Sequence, residues 1–151
     1  MILCSNPSEQ FKSYQSEIEQ AVLSVMRSKS YILGEQVTLL EKEFAYYIGT
    51  SSAIGVANGT DAIEISLRAL NIGHGDEVIT VSHTAVATVA AIEATGAKAV
   101  LIDVEKQFYT LNPAHLEQVL SKNTKAVVVV HLYGNAGDLG AVQAFCNANN
   151  L

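Results

Sequence analysis

The chain has 151 residues, 49% hydrophobic and 16% charged, which excludes a disordered polypeptide and is enough for one domain with a sizeable core. Its net charge of -6, with no run of Lys or Arg, excludes a nucleic-acid footprint. No apolar run reaches the ~18 residues of a membrane span, and residues 1–7 lack the basic start and apolar centre of a signal peptide.

Phe11, Tyr14, Ile18, Val22 and Val25 recur at helical spacing and predict an amphipathic helix over residues 11–26. A less regular stretch, 28–34, precedes a second helix marked by Val37, Leu40, Phe44 and Tyr47, which Gly49 is placed to end. From there short apolar runs alternate with helical segments. Residues 53–57 read as a strand, and Asn58-Gly59-Thr60-Asp61 as a turn opening a helix to about Leu70. A loop over 71–76 leads to a strand at 77–81 and an almost wholly apolar helix at 84–94, capped by Gly96. A strand at 99–102 ends at Asp103, and Asn112-Pro113 starts a helix to about Ser121. Residues 125–130 form a β-branched strand without polar alternation, expected to be buried on both faces. Asp138 begins the last helix.

Strands alternating with helices predict an α/β fold, a three-layer sandwich around a mostly parallel sheet. The pattern stops where another strand is due, and the expectation is an incomplete domain. Cys4 and Cys146 are two lone thiols, as expected of a cytoplasmic protein. His74, His83, His115 and His131 show no metal-ligand spacing.

Three places could carry chemistry. At Asn58-Gly59-Thr60-Asp61 a glycine permits close backbone approach, the first helical turn offers free N–H groups, and Thr60 adds a hydroxyl. Taken alone these residues read first as a plain N-cap, with Asn58 capping and Asp61 complementing the dipole, and second as a phosphate cradle. His83 follows a strand at the edge where open α/β sheets bind ligands; it either contacts a flat ring or starts the next helix. His131-Leu132-Tyr133-Gly134-Asn135 stands at a second carboxyl end and reads as a turn. The glycines around His74 follow a helix rather than a strand, the wrong order for a dinucleotide fingerprint.

Several segments occur together in one order: Gly34-Glu35-Gln36-Val37, Gly55-Val56-Ala57-Asn58-Gly59-Thr60-Asp61-Ala62, Gly75-Asp76-Glu77-Val78-Ile79, Ser82-His83-Thr84, Gly96-Ala97, Asp103-Val104 and His131-Leu132-Tyr133-Gly134. From about Pro7 onward the chain thereby resembles the DegT/DnrJ/EryC1/StrS sugar aminotransferases. The resemblance implies the N-terminal part of the large domain of a type I aminotransferase fold, binding pyridoxal 5'-phosphate and working as a homodimer. It implies transfer of an amino group from an amino acid, usually glutamate, to a keto sugar on a nucleoside diphosphate. Thr60 and the backbone at Gly59 and Asp61 would hold the cofactor phosphate, and Tyr31 would lie near the substrate.

Relatives often carry a stacking aromatic two residues after the His83 position, where this chain has Ala85. Either His83 supplies the flat face or the ring contact is weaker. The family's aspartate for the pyridine nitrogen and its Schiff-base lysine lie downstream of the matched segment. None of Lys12, Lys29, Lys42, Lys98, Lys106, Lys122 or Lys125 falls in the family's lysine motif. Residues 1–151 are therefore expected to be an N-terminal segment plus an incomplete large domain, inactive alone. The alternatives are a binding or regulatory protein on this fold, and a sugar dehydratase with histidine for the lysine.

Overall fold

The structure is a computed structural model that describes residues 4–151. The reading of residues 1–3 lies outside the described residues. The chain divides into two compact units, one up to Gly55 and one from Val56.

The first unit is helical. Asn6 caps α1 (Pro7–Ser13), its side chain accepting from Glu9 N–H. One continuous helix was expected over 11–26, but Tyr14 leaves helical geometry at φ -123°, ψ 17°. The Ser13 hydroxyl donates back to Glu9 C=O at 3.0 Å, a bond that bends helices. Then α2 (Gln15–Ser28) continues alone. The second predicted helix is α3 (Glu35–Ile48), and Gly49 ends it in the left-handed region at φ 80°, as expected.

The predicted strand at 53–57 forms no ladder. Gly55 N–H donates instead to Glu41 Oε1 at 2.7 Å, and Ile54 is exposed. A strand exists only where a neighbouring backbone pairs with it, and no described segment does.

In the second unit, α4 (Gly59–Ala69), β1 (Glu77–Val81), α5 (Val86–Ala94), β2 (Lys98–Ile102), α6 (Leu116–Val119), β3 (Thr124–Val127) and α7 (Leu139–Asn149) follow in order. Among the described residues the three strands pair in parallel, in the order β2-β1-β3. Alternation along β1 sends Val78 into a cluster with Leu67, Ile72, Ile92 and Ala97. It sends Ile79 and Val81 into another with Ile102, Leu111, Leu116 and Val142. Helices α4 and α5 cover one face, α6 and α7 the other, so the three-layer α/β sandwich is as expected.

Three expectations shift. The helix predicted from Thr84 starts at Val86, because Thr84 Oγ1 pairs with Thr88 Oγ1 at 2.9 Å and Ala85 is extended. The helix expected to reach Ser121 is a 3₁₀ turn, Pro113–His115, followed by α6, which ends as Leu120 turns extended. The strand expected over 125–130 is β3 at Thr124–Val127. In it and the residues just after it, Ala126 and Val128 face one cluster while Val127, Val129 and Val130 face the other, yet all five are only half-buried. β3 is an edge strand with a ladder neighbour on one side only. No helix among the described residues is long and apolar enough to cross a membrane.

Candidate functional site

The site is built at one edge of the second unit. Arg68, in the last turn of α4, donates from Nη2 to the C=O of Ala94, the last residue of α5, at 2.6 Å. Both helices pack on the same sheet face with their last turns joined, so their first turns open toward the same edge. That edge is the carboxyl end of the strands, where β1 leads through His83 into α5.

At the start of α4, Asn58 is the N-cap, its Oδ1 accepting from Asp61 N–H at 2.9 Å. The capping reading is thus correct, and it removes Asp61 N–H from the expected phosphate donors. The N–H groups of Gly59 and Thr60 and the Thr60 hydroxyl have no hydrogen-bond partner among the described residues. Gly59 is not in the left-handed region, and a Cβ placed there would meet nothing within 4 Å. Neither backbone geometry nor packing demands glycine at this position. An open approach to two unclaimed donors at a helix N-terminus is what an anion requires. The residues present fit a phosphate group.

His83 is exposed at the same edge. Tyr133 Oη lies 3.3 Å from His83 Nε2, with ring centroids 6.0 Å apart and planes tilted 58°. Tyr109 flanks the imidazole at 6.3 Å and 56°. These are tilted aromatic contacts in the favourable distance range. Both tyrosines have left-handed backbones, φ 60° at Tyr109 and 59° at Tyr133, a geometry that costs an L-residue roughly 1–2 kcal/mol.

Local hydrogen bonds hold each tyrosine in that state. The Glu105 carboxylate accepts from Gln107 N–H at 2.7 Å and from Phe108 N–H, while Tyr109 N–H donates to Glu105 C=O at 3.2 Å. Partial burial pushes the Glu105 carboxyl up, but the N–H groups of this turn together outweigh it and hold it below the usual carboxylate range. Asn135 Nδ2 donates to Phe108 C=O at 3.2 Å, tying that turn to the loop after β3. Gly137 N–H donates to His131 Nδ1 at 3.1 Å, so His131 braces the loop, in line with its reading as a turn residue.

Gly59, Thr60 and Asp61 thus share one turn, and His83 stands among tyrosines. Tyr31 belongs to the first unit, where its hydroxyl donates to Met26 C=O at 3.0 Å and its ring lines a cavity of about 320 Å³ with Ser28, Ser30 and Gln36. Neither Tyr109 nor Tyr133 stands out as a site residue from sequence alone. The available signal was position alone: each follows the carboxyl end of a strand. His74 is exposed in its loop, as expected.

The family model of the DegT/DnrJ/EryC1/StrS aminotransferase family matches residues 12–151. This chain belongs to that family. A family relative, the dTDP-3-amino-3,6-dideoxy-alpha-D-galactopyranose transaminase of Aneurinibacillus thermoaerophilus, is 44% identical over 138 residues, covering 91% of this chain and 38% of the relative. The crystal structure of DesV from S. venezuelae, in complex with a ketimine intermediate, superposes with a TM-score of 0.95 at 36% identity, covering 97% of this chain and 39% of DesV. NtdA from Bacillus subtilis with bound cofactor PMP gives 0.90 at 29% identity, covering 92% of this chain and 32% of NtdA. The chain therefore spans between about a third and two fifths of the length of these family members.

Proposed function

We propose that this chain supplies the cofactor-phosphate portion of a pyridoxal 5'-phosphate-dependent aminotransferase. The enzyme moves an amino group from an amino acid, glutamate by this proposal, to a nucleotide-linked keto sugar, making an amino sugar. The observation that carries the reading is the start of α4 in a chain of this family: two unclaimed N–H groups, a free hydroxyl and open space beside Gly59. When bound, pyridoxal phosphate supplies the electron sink that amino-group exchange needs.

The residues of this chain bind and orient. Gly59 N–H, Thr60 N–H and Thr60 Oγ1 donate to the phosphate, with the α4 dipole behind them. Asn58 leaves Asp61 no N–H to offer and instead fixes the turn. His83 offers its ring to the cofactor in the place where relatives carry an aromatic at the Ala85 position. Tyr31 contributes on the substrate side. The Schiff-base lysine and the aspartate for the pyridine nitrogen come from elsewhere in the enzyme, in a large domain to which residues 1–151 contribute the N-terminal portion.

We also propose a homodimer in the cytoplasm. The exposed apolar side chains of α2 and α3, among them Ile18, Val22, Leu40 and Phe44, support a covered face in the working assembly. Two unpaired thiols fit a reducing compartment.

The test is binding of pyridoxal 5'-phosphate against pyridoxal, followed by cofactor fluorescence, in the native gene product and in Thr60→Val. The phosphate form binds at least tenfold tighter, and Thr60→Val removes roughly tenfold of that, as a hydrogen bond to a charged group commands. Equal binding of the two forms sinks the cradle. Glutamate-dependent amination of a dTDP-linked or UDP-linked keto sugar then decides the substrate class, and none should occur with residues 1–151 alone.

A further inference from the structure

We propose that Tyr133 is a positioning residue for His83: its phenol holds the imidazole at Nε2, with Tyr109 flanking the ring, so that His83 keeps one orientation toward a flat ring bound at this edge. The inference rests on the cofactor reading above and adds to it a residue and a reason for its geometry.

An exposed imidazole after a strand end turns freely about its side-chain bonds and loses that freedom on binding a ligand. Here two tyrosines from distant loops converge on it. Both hold left-handed backbones at φ 60° and 59°, where asparagine or glycine is at ease and a bulky ring is not. Burial does not explain the choice, because Tyr133 is 75% exposed and Tyr109 52% exposed. Packing gives neither ring a structural return that requires the strain. The common feature of the two is the imidazole between them. Strained, exposed side chains over-determined by their surroundings, here by Glu105 and Asn135, mark functional positions rather than structural ones. Tyr133 acts through His83, and a hydrogen bond to one ring nitrogen fixes both the tautomer and the ring plane.

The experiment uses the native gene product with ¹⁵N-labelled histidine, as wild type, Tyr133→Phe and Tyr109→Phe. Tyr133→Phe moves the His83 ring-nitrogen signals, leaves those of His74 and His115 in place, and leaves the circular dichroism unchanged. It weakens pyridoxal 5'-phosphate binding by roughly 2- to 10-fold, the range one neutral hydrogen bond commands, and leaves competition by inorganic phosphate unaltered. Tyr109→Phe, which keeps its ring, changes neither readout. Should Tyr133→Phe unfold the protein, Tyr133→Asn suits the left-handed backbone and takes its place. His83 signals identical to wild type in the phenol-free variant overturn the proposal, as does equal weakening of phosphate and cofactor. If the wild type binds neither pyridoxal phosphate nor phosphate, the cofactor reading falls; the His83 signals still report whether Tyr133 holds the imidazole.

Discussion

Both units carry many apolar side chains, yet they bury them very differently. Among the described residues up to Gly55, only Ala45 is buried, while Tyr14, Val22, Met26, Leu40 and Phe44 are each more than half exposed. From Val56 onward, Val78, Ile79, Ile92, Leu111 and Leu116 are sealed from solvent. A helical repeat of apolar residues specifies a helix and a face, but burial of that face needs an opposing surface. The parallel sheet supplies one on each side, so the second unit closes its own core. The helices of the first unit lean on local terms, such as the Asn6 cap and the Lys12–Glu9 pair at 2.6 Å, an exposed contact of little worth.

The largest test of this contrast is core truncation. Ile79→Ala or Ile92→Ala costs about 2–5 kcal/mol in denaturant unfolding, from lost burial and an unfilled cavity. Leu40→Ala, at a site 61% exposed, costs below about 1 kcal/mol. An equal cost at Leu40 would mean that the α3 face is covered in the native assembly, as the proposed dimer requires.

The two asparagine caps differ in the same way. Asn58→Ala lowers global stability by about 1 kcal/mol, because α4 is packed on the sheet. Asn6→Ala instead frays α1 locally, faster amide exchange at Glu9 and Gln10 being the readout, with little change in global unfolding. A global loss at Asn6 as large as at Asn58 would break the distinction.

Tyr133→Gly is expected to be neutral or to gain up to about 1 kcal/mol as the left-handed strain is released, even though His83 loses its partner. Thermal unfolding measures this, and a clear loss of stability would assign Tyr133 a structural role.

The smallest effect is with pH. Glu77 is held below the usual carboxylate range, first by the Ser121 hydroxyl at 2.5 Å, against a raising effect of burial, and then by Lys98. Its contribution is present above the ordinary carboxylate value and is lost as pH falls through the depressed folded one. Thermal unfolding scans of wild type and Glu77→Gln therefore converge toward acid and separate toward neutrality. Curves that stay parallel across that range would show that Glu77 adds nothing.

Sequence alone settles the local features. The caps at Asn58, Asn112 and Asp138, the end of α3 at Gly49, the strands at 77–81 and 99–102, and the Gly59-Thr60 helix start were legible because each depends on residues within a turn or two of one another. Features that rest on partners far apart in the chain emerge only in the folded molecule. The apolar run at 53–57 stayed out of the sheet because no described backbone pairs with it. The half-burial of β3 followed from its place at the sheet edge, which no single strand encodes. His83, Tyr109 and Tyr133 carry no common spacing; they meet because a parallel sheet delivers the ends of its strands to one edge.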